Sequence, residues 1–437
     1  MYRKAQEQLL QWKMRAGRKP LVLLGARQVG KTWLMKDFAR SAYRNSVYVN
    51  FEDEEVLQGL FDSDFDIQRI ITSLELRFNT NIDDETLLIF DEIQSARRGI
   101  TSLKYFQEKA PHLHIIAADS LLGLTTSDSI PVGKVDYLRI YPMTFIEFLK
   151  AMGKDREAEV IERREWKLME VVRDQLVLLL KTYYYVGGMP EAVQCFADNK
   201  DYNEVRRIQN DIITSYDSNF IKHAPAEIIP RIRMVWNSIP SQLAKENKKF
   251  IYGVVKSGGR AREFELALQW LIDAGQIIKV PRCKSGQLPL KAFEDLSAFK
   301  VFLLDVGLLN AMNRTQPSTI VDGNEMFLTF KGALTEQYVA QQLVTCVDQL
   351  YYWSAETSSG EIDFLVQMAD KVIPIEVKAE ENLHAKSLRA FVERMPGLHG
   401  LRLSMSNYRV QSWMTNVPLY ALSGSLLENW SGASLRQ

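Results

Sequence analysis

Cysteine is nearly missing from this chain: Cys195, Cys283 and Cys346 are the only three in 437 residues, and they lie far apart. They form no metal-ligand spacing and no disulfide framework, which predicts free, buried thiols in a cytoplasmic protein. Histidine is also scarce, with five in all and no pair at metal spacing. No nucleophile elbow and no Cys/His constellation appears, so the enzyme classes built on those groups are set aside. Long apolar runs are absent too. No stretch approaches the roughly 18–20 apolar residues that span a bilayer, so no membrane partner is expected. Met1-Tyr2-Arg3-Lys4 leads into an amphipathic helix without an apolar signal core. Net charge is absent as well, with 54 Lys+Arg against 54 Asp+Glu. Overall charge therefore selects no acidic partner. Its distribution is uneven: residues 1–40 are basic, 50–92 acidic, and Lys245 to Lys291 basic again. Such patches are candidate nucleic-acid contacts, although a solvated face is the commoner explanation.

What is present is a soluble composition, 46% hydrophobic and 25% charged, on a chain too long for one core. Two to four domains are expected. The most specific stretch is "PLVLLGARQVGKTW". An apolar strand, Leu21–Leu24, runs into Gly25-Ala26-Arg27-Gln28-Val29-Gly30-Lys31-Thr32-Trp33, which matches the phosphate-binding loop at every defining position. Gly25 and Gly30 let the backbone curl so that successive N–H groups face phosphate oxygens. Lys31 would reach the β- and γ-phosphates of ATP, the Thr32 hydroxyl would ligate Mg²⁺, and the helix that follows adds a favourable dipole.

A second element agrees. "TLLIFDEIQ" is an apolar run ending in Asp91-Glu92, as a parallel strand buried on both faces would read. Ligands bind beyond the carboxyl ends of such strands. There Asp91 would hold Mg²⁺ through water and Glu92 would polarise a water against the γ-phosphate. "SVYVNFED", "HLHIIAADS" and "VDYLRIYPMTFIEFL" supply further strands, the last with a closing helix. Asp119 and Ser120 are candidates to sense the γ-phosphate. The order predicts a doubly wound α/β domain over residues 1–150.

"GARQVGKT", "LLIFDEIQ" and "YPMTFIEFL" together resemble the AAA+-superfamily ATPases of bacteria and archaea that carry a C-terminal domain of uncharacterised function. In that family the strand after the acidic pair commonly ends Thr-Gly-Ser; here it reads Ala117-Ala118-Asp119-Ser120. A Gly-Arg pair commonly before the fifth strand is Gly133-Lys134 here. These departures leave the sensor and the arginine finger unassigned, with Arg97, Arg98 and Arg139 as candidates. The resemblance implies ATPase activity and assembly of several copies as a candidate state.

Residues 151–224 read as helical. Within "YYYVGGMPEAV", Gly187-Gly188 breaks one helix and Pro190 starts the next, an element the same family also shows. Residues 225–310 read as helix, helix and a two-stranded hairpin, "GQIIKVPRCKSGQLPLKAFE", which suits a winged-helix module. Lys245, Lys248, Lys249, Arg260, Arg262, Arg282 and Lys284 are candidates for phosphate backbones of DNA or RNA.

The last third, 311–437, holds the hairpin "GEIDFLVQMADKVIPIEVKAE". Alternation along a strand puts Ile373, Ile375 and Val377 on one face and Glu376 and Lys378 on the other. Asp363 on the preceding strand points to that same polar face. A helix carrying Glu336 comes first, and a helix and another strand follow. Helix, three strands, helix, strand is the order of the restriction-endonuclease-like PD-(D/E)XK core, which the family's C-terminal domain resembles. Asp363 and Glu376, with Glu336, are hard oxygen ligands suited to Mg²⁺, and Lys378 would orient a water for attack on a phosphodiester. The other reading of the same residues is a polar sheet face with a cross-strand ion pair. Two functions follow: an ATPase coupled to a nuclease-like, nucleic-acid-directed domain, and a nucleotide-set regulatory scaffold that binds a partner.

Overall fold

The structure, a computed structural model, describes residues 1–119, 133–245, 248–318, 325–356, 360–379 and 385–430, with the backbone alone over 325–330. Ser120 lies outside the described residues. By contact the chain groups into two units: Tyr2–Tyr141 with Asp273–Gly275, and Pro142–Ile272 with the chain from Gln276 on. The boundaries at 150, 224 and 310 stand as a proposal about which parts fold independently.

The first unit is built on a five-stranded parallel sheet in the order β2-β3-β4-β1-β5. The strands are β1 (Leu21–Leu24), β2 (Asn45–Asn50), β3 (Thr86–Asp91), β4 (His114–Asp119) and β5 (Asp136–Arg139). Every residue of β3 and β4 is buried, as the unbroken apolar runs require when helices cover both faces. Helix α1 (Ala5–Met14) buries Leu9 and Trp12; α2 (Lys31–Ala42) follows β1 directly. Helix α3 (Ile67–Phe78) starts where the Asp66 carboxylate accepts from the Gln68 and Arg69 amides. Helix α4 (Gly99–Lys109) lies between β3 and β4. Because all five strands run the same way, the loops after β1, β3 and β4 emerge at one edge of the sheet.

In the second unit, α5 (Phe145–Ala151) opens with a capping box between Thr144 and Glu147. Helices α6 (Arg173–Val186), α7 (Pro190–Asn199) and α8 (Tyr202–His223) follow. Gly187-Gly188 does more than break a helix. The Gly188 amide donates to Asp305 Oδ2 at 2.6 Å. A Cβ on Gly187 would sit 2.2 Å from Asp305 Oδ1, and one on Gly188 would sit 2.1 Å from the Met143 carbonyl oxygen. Only glycine lets the backbone wrap that carboxylate so closely.

Helix α9 (Ile229–Leu243), a bridge from Lys249 to Lys300, a short helix at Tyr252–Val255 and α10 (Ala261–Asp273) lead into β6 (Ile277–Cys283) and antiparallel β7 (Glu294–Leu303). The expected second hairpin strand thus begins later than the basic turn suggests. Pro289 has no N–H to give a ladder, and the chain makes a 3-10 turn at Leu290–Phe293 first. Nor is the hairpin isolated: β6 pairs with β8 at Arg282 and Tyr352, within an eight-stranded sheet ordered β12-β13-β11-β10-β9-β8-β6-β7.

After α11 (Val306–Met312) and α12 (Glu325–Leu343) come β8 (Leu350–Ser354), β9 (Glu361–Met368), β10 (Lys371–Val377), α13 (Lys386–Arg394) and β11 (Gly400–Ser404). Strands β8, β9 and β10 form an antiparallel meander, and β11 joins β10 in parallel. Strands β12 (Arg409–Val410) and β13 (Met414–Pro418) extend the sheet beyond what the sequence suggested. On β10 every residue after Lys371 is buried, so the face bearing Glu376 is covered and not a solvated surface.

Candidate functional site

The loop between β1 and α2 is shaped by three positive-φ backbone positions. Gly25 has φ +146°, and a Cβ there would fall 2.2 Å from the Ile140 carbonyl oxygen. Gly30, with φ 90°, is the residue from which α2 begins. Gln28 also takes a positive φ of 67°. Ala26 and Val29 are buried, while Gln28 is exposed and Arg27 and Trp33 are half-buried. Lys31 Nζ donates to the Gly25 carbonyl at 2.7 Å and the Ala26 carbonyl at 3.0 Å. Burial pushes this ammonium down to about 8, against the pull of Glu92, Asp91 and Asp119.

Thr32 Oγ1 donates to Asp91 Oδ2 at 2.6 Å, which brings the first residues of α2 against the end of β3. Tyr48 OH, from β2, donates to the same oxygen at 2.9 Å. The Glu92 amide reaches Asp91 Oδ1 at 3.2 Å. These neutral donors orient the carboxylate. That donor set fits a hard divalent cation, with Thr32 and Asp91 as the residues to hold it. Glu92 itself adopts φ 49°, and its carboxylate lies 3.9 Å from Arg27, which is also 3.8 Å from Glu52. Asp119 is buried at the end of β4, the neighbour of β1. Arg98 donates to the Asp62 carbonyl and stacks on Phe65, while Arg97 and Arg139 are exposed.

Residues 17–149 match the family model of an AAA domain. The stretch holding the loop and the acidic strand end is thus similar to an AAA domain. Residues 177–319 and 331–422 match two models described as domains of unknown function (DUF8612 and DUF4143). An uncharacterized protein of Methanocaldococcus jannaschii, MJ1544, is 26% identical over 174 residues, 39% of this chain and 35% of the relative. The match thus spans about a third of that relative's length. Among solved structures, the Walker-type ATPase PABY2304 of Pyrococcus abyssi is 14% identical, covering 71% of this chain and 95% of its own, with a TM-score of 0.45. The RuvB Holliday junction branch migration motor of Thermotoga maritima is 15% identical over 66% of this chain and 91% of its own, at 0.30.

The C-terminal candidates also come together. The Asp363 Oδ2 atom accepts the Val377 amide at 2.7 Å, and Lys378 Nζ lies 2.6 Å from Glu376 Oε1. Glu336, on α12, joins them through residues that sequence reading assigned elsewhere or missed. Lys248, expected on a nucleic-acid surface, donates to Glu336, and Lys300 of β7 pairs with Glu361 and stands 3.7 Å from Glu336. Arg282, from the same basic set, is paired with Asp295. Buried Arg402 sits beside Glu376 in the strand register.

Burial raises Asp363 to about 8, with Glu336 and Glu376 adding to it against Lys300 and Lys248. Burial also pulls Glu336 upward, but Lys248 and Lys300 outweigh it and hold that carboxyl below its usual range. Lys300 stays well above the ordinary lysine value because Glu336, Glu361 and Asp363 overcome its own burial. Glu336 Oε2 and Glu376 Oε2 are buried without a hydrogen-bond donor among the described residues. Among the described residues, no group of three or more His, Cys, Asp or Glu is arranged to hold a metal. No described helix is long and apolar enough to cross a membrane.

Proposed function

We propose that the chain binds and hydrolyses ATP with Mg²⁺ in its first unit and couples the nucleotide state to the second. The observation that carries this is the 2.6 Å contact of Thr32 with Asp91, next to a buried Lys31 held by its own loop carbonyls. Bound Mg²⁺ would neutralise charge between the β- and γ-phosphates; the remaining work belongs to the chain. Lys31 exchanges its carbonyl partners for phosphate oxygens, which suits an ammonium destabilised by burial. The amides at the start of α2 have no intrahelical partners and donate to phosphate oxygens. Glu92 orients the attacking water once Arg27 no longer holds it. ATP turnover by the wild type and by Glu92→Gln tests this. Wild-type turnover, with binding kept and turnover lost about 10²-fold or more in the variant, is the expected result. A wild type that neither binds nor hydrolyses ATP removes the reading.

The two donor-less carboxylate oxygens, Glu336 Oε2 and Glu376 Oε2, favour a second activity: Mg²⁺-dependent cleavage of DNA or RNA by a nuclease-like domain. Asp363 and Glu376 would hold the cation and Lys378 would orient the water. The order α12, β8-β9-β10, α13, β11 supports a restriction-endonuclease-like core, and the α9-to-β7 order supports a winged helix. Incubating DNA and RNA with Mg²⁺ or Mn²⁺ tests it against Asp363→Ala and Lys378→Ala. Cleavage that survives both variants belongs to another site.

A further inference from the structure

Arg3 is the third residue of the chain, yet it is only 4% exposed. Its guanidinium makes two directed hydrogen bonds. Nη1 donates to the Val29 carbonyl at 2.9 Å, and Nη2 donates to the Tyr141 carbonyl at 2.7 Å. The first acceptor belongs to the phosphate loop, one residue before Gly30. The second closes the Tyr2–Tyr141 stretch of the first unit, two residues beyond Arg139 and directly before Pro142.

The Val29–Gly30 peptide is planar and trans, so its carbonyl and its N–H point to opposite edges. Fixing the carbonyl on Arg3 therefore fixes the direction of the Gly30 amide, which precedes the donor-rich first turn of α2. At the other end of the loop, the Ile140 amide donates to the Leu24 carbonyl at 2.7 Å, and the Ile140 carbonyl occupies the space a side chain at Gly25 would need. The segment leaving β5 thus grips the loop at its first glycine, and Arg3 joins that segment to the loop at its last. Helix α1 anchors the arginine from behind: Leu9 and Trp12 are buried, Trp12 Nε1 donates to the Lys19 carbonyl, and Gln6 donates to Asp37 of α2.

We infer that Arg3 is a positioning residue for nucleotide: its forked guanidinium sets the Gly30 amide for phosphate and ties the phosphate loop to the exit of the first unit. The inference rests on the ATP-binding reading above. A lysine cannot reproduce it fully, because one ammonium lacks the planar fork that spans two carbonyls.

The test is equilibrium binding of ATP·Mg²⁺ and steady-state turnover for the full-length wild type, Arg3→Met and Arg3→Lys. Thermal melting of each, with and without ATP, is measured alongside. Arg3→Met is expected to weaken ATP binding and raise KM about tenfold, the scale of one lost charge-assisted hydrogen bond. Its kcat should change less than twofold, and Arg3→Lys should recover part of the loss. If Arg3→Met does not fold, Arg3→Lys carries the test, with the same KM-against-kcat split at a smaller size. A lower melting temperature with wild-type ATP affinity and KM in the folded variants would mean a purely structural arginine and overturn the inference. A wild type that binds no ATP removes the underlying reading and this inference with it, whereas variants that bind as tightly as a binding wild type remove this inference alone.

Discussion

Lys31 and Lys300 are both buried ammonium groups beside carboxylates, one in each unit; burial lowers the pKa of each, yet the net shifts run in opposite directions. At Lys31 the cost of burial wins and the pKa falls to about 8. At Lys300 the acids win and the group stays well above its ordinary value. The geometry explains the difference. Lys31 is hydrogen-bonded to the neutral carbonyls of Gly25 and Ala26, with Asp91, Asp119 and Glu92 acting on it through space. Lys300 is in direct contact with Glu361 and close to Glu336. An ammonium disfavoured where it stands gains most from an incoming anion. One already neutralised gains little and serves as part of the wall.

This contrast breaks most sharply at Lys300. Lys300→Met leaves Glu336 and Glu361 short of a buried counter-charge and is expected to cost about 3–5 kcal/mol, read by chemical denaturation. Lys31→Met should cost no stability in nucleotide-free protein and still weaken ATP binding about 100-fold, read by titration calorimetry. Equal destabilisation by the two substitutions would erase the distinction.

The next effect is a matter of pH. Asp363 titrates near 8 in the folded chain, above the ordinary value of 3.8. The folded state therefore holds a proton that the unfolded state has released, and stability is lost as pH rises between those values. Asp363→Asn removes the penalty and can still accept the Val377 amide. Its melting temperature should exceed that of the wild type by about 2–4 °C at pH 8, with the gap closing toward pH 4. A gap that widens on acidification would reverse the assignment. The smallest effect belongs to Tyr48→Phe, which deletes one neutral donor on Asp91 and leaves Thr32 in place. The Mg²⁺ concentration for half-maximal turnover should change by no more than about threefold.

What the sequence made legible follows the distance between partners. The phosphate loop is a continuous run, and the acidic strand end announces itself through unbroken apolar residues, so both sites of chemistry in the first unit can be read locally. Asp363, Glu376 and Lys378 are legible because strand alternation places them on one face. Lys248 and Lys300 are not, since their partner Glu336 is 88 and 36 residues away and nothing in a basic stretch tells a buried lysine from a solvated one. Arg3 is hidden for the same reason, with acceptors 26 and 138 residues along the chain. The late start of β7 escaped because Leu288, Leu290 and Phe293, which precede it, read equally well as a strand.

The Gly187-Gly188 wrap around Asp305 has a consequence for how the chain comes off the ribosome. Tyr183, in the same stretch, donates to the Met143 carbonyl and accepts from Gln341 and Gln342 of α12. The first unit is nearly contiguous and can close early in synthesis. The second cannot complete this buried network until residues more than 150 positions later have been made. Its folding is therefore held back by non-local contacts. Until α12 arrives, the polar groups around Met143 and Tyr183 must be served by water, which makes the nascent middle of the chain the segment that most needs protection from premature association.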